Sequence, residues 1–169
     1  MILDSNVVIY ACGAGREGEA ARANVAKTKK ATLFLSIHFN ASKKHDARGV
    51  ETLVSEANVN EAEDRAFAQT VQDRLLEALH LIDPSTKALL PKYDWKVKPQ
   101  SLGVLKDIEL GNMVGAHPCR ACLAEVEFMD TQAVDALFRL KGTTDGGERT
   151  AKNRQRVADA LADALLAHV

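Results

Sequence analysis

The sequence predicts a single α/β domain with three layers, in which helices cover both faces of a mainly parallel mixed sheet. Three observations indicate this fold. Short apolar segments alternate along the chain with longer segments of helical spacing, the order expected when helices connect the strands of such a sheet. Residues 31–38 contain an apolar run, 31–37, that is interrupted only by Thr32 and Ser36, as expected of a strand buried on both faces. The chain has 169 residues, which fits one domain, 1–169, with its own core.

Segments of the N-terminal part predict strands and helices in alternation. Val7–Ala11 is short, β-branched and apolar, and it is followed by a Gly-containing turn, so it predicts a strand. Residues 16–27 are rich in Ala, Arg and Glu and contain no proline, which favours a helix. Residues 31–38 and 49–54 predict the next two strands. This strand–helix–strand order is typical of an α/β sheet.

The middle of the chain predicts one long helix followed by an irregular segment. Apolar residues recur at helical spacing over residues 60–81. Pro84, Pro91 and Pro99 interrupt the basic segment that follows, so no regular element is predicted there. The apolar stripe of the long helix consists of Ala66, Phe67, Val71, Leu75 and Leu79.

The C-terminal part predicts one more strand and two helices. The strand covers residues 121–129, which are mostly apolar. A short helix is predicted over 131–140, a Gly-containing loop over 141–148, and a closing amphipathic helix over 149–167.

The composition argues against several classes of function. Apolar residues make up 46% and charged residues 27%, which is typical of a soluble globular protein. The net charge of −1 and the pI near 6.5 provide no basic field to recruit nucleic acid or an anionic membrane. No apolar segment is long enough to insert into a membrane. The chain as given begins without the basic and apolar segments of a signal peptide.

The three cysteines do not form a disulfide framework, because an odd number cannot pair within one chain. Cys119 and Cys122 are spaced like half of a zinc site, with His117 just before them. No second ligand pair is evident elsewhere in the sequence, and Cys12 is isolated. We therefore favour small buried thiols at the start of a strand over a structural metal site.

Two polar residues stand where an α/β enzyme places its site, in or at the end of a buried strand. His38 ends the strand predicted over 31–38, and a polar turn follows it. Glu125 lies inside the apolar strand predicted over 121–129, where a carboxylate is costly unless it is paired. From the residues alone, His38 is either a loop histidine or a metal ligand, and Glu125 is either a structural ion-pair partner or a catalytic residue.

The segments around these residues resemble motifs of a known family, the zinc-dependent N-acetylmuramoyl-L-alanine amidases of type 3. That family has a Ser-Ile-His-x-Asn-Ala segment whose histidine is a zinc ligand, and the chain carries Ser-Ile-His-Phe-Asn-Ala at 36–41. The family also has a Leu-x-Glu-x-Gly-Phe motif whose glutamate is catalytic, and the chain carries Leu-Ala-Glu-Val-Glu-Phe at 123–128. The resemblance implies that His38 binds zinc and that Glu125 is the catalytic carboxylate.

Shorter segments extend the resemblance from about Asn6 to the C-terminus. They lie at 22–24, 48–52 and 102–105 and occur in the order of the family. The resemblance implies hydrolysis of the amide between N-acetylmuramic acid and L-alanine in peptidoglycan, in the bacterial cell envelope. Zinc would lower the pKa of a bound water, and Glu125 would take its proton and pass it to the leaving amine. We expect a monomer that binds a muropeptide substrate.

The front of the chain departs from the family pattern. Two further zinc ligands, a histidine in a Gly-His-Gly turn and a glutamate, precede the Ser-Ile-His segment in the family, whereas none of the 37 residues before His38 is a histidine. Glu17 and Glu19 lie on the wrong element to replace them. The first strand and helix of the family are therefore expected to be absent, and this chain should not build a three-ligand zinc site by itself. The exposed edge beside the His38 strand should then be covered by residues 1–6, by another chain or by residues outside this sequence.

The sequence departs from the family motif at a second place, two residues after Glu125. The motif has a glycine there, whereas this chain has Glu127. Side chains alternate along a strand, so we expect Glu127 on the face of Glu125, where it would raise the pKa of one of the two carboxyls.

Four further histidines are candidates for metal binding or for the protein surface. His45 and His117 lie in predicted loops and could reach a metal, whereas His80 and His168 are expected at the solvated surface. Because the ligand set is incomplete, the alternative function is a catalytically inactive amidase-like module that binds peptidoglycan or a protein partner.

Overall fold

A computed structural model describes residues 7–11, 19–112, 118–139 and 145–169. The strands are β1 (Val7–Ala11), β2 (Leu33–Asn40), β3 (Val50–Val54), β4 (Asp94–Pro99) and β5 (Arg120–Phe128). The α-helices are α1 (Glu19–Lys29), α2 (Glu61–Ile82), α3 (Asp107–Leu110), α4 (Gln132–Phe138) and α5 (Asp145–Leu166), and two 3₁₀ helices cover Pro84–Leu89 and Gly103–Leu105.

In the described part of the chain the strands form one mixed sheet with helices on both faces, so the predicted α/β class is confirmed. The strand order is β1-β2-β5-β3-β4. Three neighbouring pairs are parallel, and only the pairing of β3 with β5 is antiparallel. Because of that antiparallel pairing, the strands β3 and β4 begin at the end of the sheet where β2 and β5 finish.

Two apolar cores flank the sheet. The first core lies between the sheet and the helices α2, α4 and α5, and the second core lies under α1 and the short helices of residues 103–110. Alternate residues of β2 serve the two cores, with Leu33 and Leu35 in the first and Phe34 in the second. Burial on both faces explains why the first half of this strand, Leu33–Leu35, is apolar at successive positions.

The long helix α2 confirms the predicted helix, with one correction to its stripe. Phe67, Val71, Leu75 and Leu79 are buried, but Ala66 is exposed and Ala68 is buried in its place. The described helices are all too short or too polar to cross a bilayer.

Strand β4 falls in the segment where no regular element was predicted. It carries Lys96 and Lys98 and ends at Pro99. Its position at the edge of the sheet explains this composition, since an edge strand tolerates proline and exposed lysine. Helix α5 begins at Asp145 and not at Arg149, so it includes part of the predicted Gly-containing loop.

The expectation about the edge of the His38 strand was wrong. Strand β2 has β1 on one side and β5 on the other, and β1 pairs with it over Val7–Ala11. The strand predicted over Val7–Ala11 therefore covers the edge that we assigned to residues 1–6, to another chain or to residues outside the sequence. Residues 1–6 lie outside the described residues.

Candidate active site

His38, Glu125 and Glu51 lie side by side across three adjacent strands. The Cα atom of His38 on β2 is the register partner of Glu125 on β5, and Glu51 on β3 is the partner of Glu125 on the other side. Neighbouring strands are about 4.8 Å apart, so each of the outer residues is close to Glu125.

All three side chains point to the face of the second core. Each lies an even number of residues from a buried residue of that core on the same strand, and side chains two apart share a face. The three reference residues are Phe34, Leu123 and Leu53. The sheet thus places one imidazole and two carboxyl groups in a row at the carboxyl ends of β2 and β5.

The His38 ring is restrained by its own strand. Its Nε2 lies 2.9 Å from the hydroxyl oxygen of Ser36, and that serine is fully buried. A hydrogen bond of this kind fixes the orientation of the ring, which is a common feature of histidines that bind metals.

Glu125 has a partly buried carboxyl group with a raised pKa. It is partly buried, and its Oε2 is buried with no hydrogen-bond partner among the described residues. Burial, and then the charge of Glu51, raises the pKa of Glu125 to about 7. A carboxyl with this pKa exchanges protons readily near neutral pH, and an unpartnered oxygen can accept a bond from a water or a substrate.

Glu51 was not singled out in the sequence, although it falls inside the resemblance at 48–52. Its two carboxylate oxygens accept from the Asn40 Nδ2 at 3.0 Å and from the Lys98 Nζ at 2.7 Å. Asn40 is held in turn, because its Oδ1 accepts from the Ala41 N–H at 2.8 Å. These bonds hold the Glu51 carboxylate next to Glu125. The only signal in the sequence was a carboxylate inside the strand predicted over 49–54, and its cross-strand partner is not visible in the sequence.

Glu127 does not share the surroundings of Glu125, so this expectation was wrong. The register runs from His38–Glu125 to Asn40–Phe128, which places two steps on β2 against three on β5. The extra residue disturbs the alternation of side chains in β5. Glu127 therefore meets Tyr93, a residue of the first core, and the carboxylate that raises the pKa of Glu125 is Glu51.

The Glu127 carboxylate is fully buried and holds several segments together. Its Oε1 accepts from the Arg48 Nε at 2.7 Å and from the Tyr93 hydroxyl at 2.8 Å. Its Oε2 accepts from the backbone N–H groups of Gly49 at 3.0 Å and Phe128 at 2.9 Å. Arg48 also donates to Asp83 at 3.1 Å. This arrangement indicates a structural role.

Replacing Glu127 by Gln should therefore damage stability more than chemistry. One of its two acceptor oxygens would become an NH₂ group that faces N–H or O–H donors, and the buried charge of Arg48 would lose a partner. We expect a loss of about 3 kcal/mol in the free energy of unfolding, measured by urea denaturation, because breaking a buried ion pair is costly. Glu148→Gln is the matched control, since that exposed ion pair with Lys152 should leave the urea midpoint unchanged. An unchanged midpoint for Glu127→Gln would contradict the structural role.

Three of the other histidines contact partners other than His38, and the fourth lies outside the described residues. His45 Nδ1 lies 2.9 Å from the Asp130 Oδ2 in an exposed pair. His80 and His168 are partly buried, contrary to the expectation of a solvated surface, because His80 bonds to Thr86 and His168 packs on Phe67. His117 lies outside the described residues.

Cys119 and Cys122 are buried free thiols, as favoured from the sequence. Burial raises the pKa of Cys119 to about 12 and raises that of Cys122 as well, which favours the neutral thiol form of both side chains. Cys12 lies outside the described residues.

A complete metal centre is not formed by the residues that the structure describes. Within them, no group of three or more His, Cys, Asp or Glu side chains could hold a metal ion. His38 fits the role of one zinc ligand by its chemistry and its restrained ring, but the described residues do not bring two further ligands to it.

Comparison with solved structures supports the fold. The chain is similar to the catalytic domain of CwlV, an N-acetylmuramoyl-L-alanine amidase from Bacillus (Paenibacillus) polymyxa var. colistinus, with 21% identity and a TM-score of 0.61 over 88% of this chain and 64% of that chain. It is similar to the N-acetylmuramoyl-L-alanine amidase of Clostridium difficile 630, with 20% identity and a TM-score of 0.63 over 90% of this chain and 65% of that one. It is also similar to the CwlD amidase of Clostridioides difficile, solved in complex with the GerS lipoprotein. The identity is 18% and the TM-score is 0.55, over 86% of this chain and 60% of that chain.

The chain spans less than two thirds of the length of each of these structures. None of the curated proteins matches the chain. The family model described as N-acetylmuramoyl-L-alanine amidase matches residues 5–167, which is nearly the whole sequence. The chain therefore belongs to the N-acetylmuramoyl-L-alanine amidase family.

Proposed function

We propose that the protein is a peptidoglycan hydrolase that cleaves the amide bond between N-acetylmuramic acid and L-alanine. One observation carries this proposal. Glu125, in the segment that resembles the family's Leu-x-Glu-x-Gly-Phe motif, is the register partner of His38 and has a buried oxygen with no partner among the described residues. The family match supplies the bond that is cleaved.

Glu125 acts as the proton carrier of the reaction. It removes a proton from the attacking water while the water oxygen bonds to the carbonyl carbon of the lactyl group. It then delivers that proton to the alanine nitrogen as the carbon–nitrogen bond breaks. The products are a lactyl carboxylate on the sugar and a free amino terminus on the peptide. The raised pKa of Glu125, near 7, suits both halves of this transfer.

The finer proposal is that the reaction uses zinc and that His38 is one of its ligands. When bound, a zinc ion would supply Lewis-acid polarisation of the carbonyl and a more acidic water. The hydrogen bond between the Ser36 hydroxyl and the His38 Nε2 would orient the ring. The other ligands would have to come from residues outside the described part of the chain or from outside this sequence.

The setting of the reaction follows from its substrate. Peptidoglycan lies in the bacterial cell envelope, so we propose that the protein acts there on a muropeptide. We also propose that it acts as a monomer. The CwlD amidase was solved with a lipoprotein partner, and a corresponding partner is a question for experiment.

The test is digestion of purified peptidoglycan by the protein expressed from its complete natural reading frame. We expect release of peptides that carry a new amino-terminal alanine, detected by mass spectrometry, and loss of this release when a chelator removes metal. Return of activity on adding zinc would support the metal assignment. Binding to peptidoglycan with no new alanine terminus would favour the inactive binding module, and cleavage at a glycosidic bond would overturn the proposal.

A further inference from the structure

The rim of the candidate site carries Trp95, which is the single tryptophan of the chain. It lies on the edge strand β4 and is partly buried. The part of an aromatic ring that stays in water can contact a ligand if the ring is held in place. The residues around it show whether it could serve as a rigid binding surface.

The indole ring is held from several sides. Its Nε1 donates to the backbone oxygen of Arg48 at 3.2 Å, so its polar group is satisfied. A Cβ atom at Gly49 would lie only 2.6 Å from the Cδ1 and Nε1 atoms of the ring, which shows how closely the ring packs on that backbone. The Phe128 ring lies at a centroid distance of 5.0 Å. The indole is therefore held in a fixed orientation, with part of the ring still exposed.

Lys98 connects this surface to the row of candidate catalytic groups. Its Nζ lies 4.6 Å from the centroid of the Trp95 ring, a cation–π contact, and it donates to the Glu51 Oε2 at 2.7 Å. Glu51 is the register partner of Glu125. Gly49, which supports the ring, precedes Glu51 by two residues, or about 7 Å of extended chain. The Trp95 ring is therefore linked to the proposed proton carrier through Lys98 and Glu51.

We propose that Trp95 binds the sugar ring adjacent to the scissile amide. This inference rests on the proposed function, because the sugar is the N-acetylmuramic acid of that substrate. The faces of a pyranose present C–H groups that pack on an indole, while its hydroxyl and amide groups need hydrogen-bonding partners at the rim. Lys98 and Glu51 provide a donor and an acceptor there. A preformed aromatic surface next to a few polar groups is typical of small-ligand sites.

The binding arm of the test uses Trp95 itself as the reporter. The disaccharide N-acetylglucosaminyl-N-acetylmuramic acid has no amide to alanine and is not consumed by the reaction. We expect it to cause a saturable change in the tryptophan emission of the wild-type protein. The stem peptide without sugar is the matched control and should leave the emission unchanged.

The kinetic arm separates binding from chemistry. Trp95→Ala should raise the KM for a muropeptide by about tenfold or more, as expected when an aromatic contact is removed, and should leave kcat within about threefold. Trp95→Phe should restore part of the KM. Leu90→Ala, which removes another exposed apolar side chain near β4, should change neither constant.

The outcomes separate this inference from the proposed function. A disaccharide-dependent emission change without amide cleavage would overturn the proposed function but support sugar binding at Trp95. Amide cleavage with no emission change and an unchanged KM in Trp95→Ala would overturn the role of Trp95. An emission change caused by the peptide alone would also overturn it.

Discussion

Glu125→Gln is expected to lower the turnover of the amide by a factor of about 10² or more, because the glutamine cannot take a proton from water. The substitution keeps the shape of the side chain. Since the Glu125 Oε2 has no hydrogen-bond partner among the described residues, no bond to that atom is lost there, and the fold should remain intact. The measurement is kcat on a soluble muropeptide, with thermal unfolding recorded for the same preparation.

Glu127→Gln is the matched control, since it makes the same chemical change two residues away. Its kcat per folded molecule should fall much less than that of Glu125→Gln, because the Glu127 carboxylate is bound to Arg48, Tyr93 and backbone groups. If the Glu127 variant lost more turnover per folded molecule than the Glu125 variant, the two roles would have to be exchanged.

His38→Ala is expected to remove most of the bound zinc and to abolish the release of peptides from peptidoglycan. Loss of one protein ligand leaves a coordination position to water and weakens a three-ligand site strongly. The measurements are the metal content of the purified, complete protein and the appearance of amino-terminal alanine. About one zinc per chain is expected in the wild type.

His45→Ala serves as the control for metal content. His45 pairs with Asp130 in an exposed loop, so its removal should leave the bound zinc unchanged. Unchanged zinc and turnover in His38→Ala would show that the motif histidine is not a ligand. Loss of zinc in the His45 variant would move the metal site toward the loop that follows β2.

The elements that sequence reasoning predicted well are those with a strong apolar pattern. Strand β2 and helix α2 were predicted to within two residues at each end. Burial of β2 on both faces produces a run of apolar residues, and burial of one face of α2 produces an apolar stripe at helical spacing. Strand β4 was missed because its pattern is that of an edge, with Lys98 and Pro99 where a central strand would be apolar.

The site was only partly predictable for a related reason. His38 and Glu125 belong to recognisable segments of the chain, whereas Glu51 matters only through its pairing with Glu125 across the antiparallel junction of β3 and β5. That pairing joins residues far apart in sequence. The surroundings of Glu127 were misjudged because one extra residue in β5 disturbs the alternation, and nothing in a single sequence marks such an irregularity.

The position of β4 at the edge of the sheet has a consequence for how the surroundings of the candidate site can change in sequence. Within the described sheet, β4 is bonded only to β3, while Glu125 lies on a strand with neighbours on both sides. A substitution at Trp95 therefore leaves the backbone pairing of β5 with its neighbours in place, and on β5 it removes the ring contact with Phe128, three residues beyond Glu125. Under the two proposals made above, the contact with the sugar and the group that moves the proton lie on different strands, so a change in the first need not move the backbone of the second.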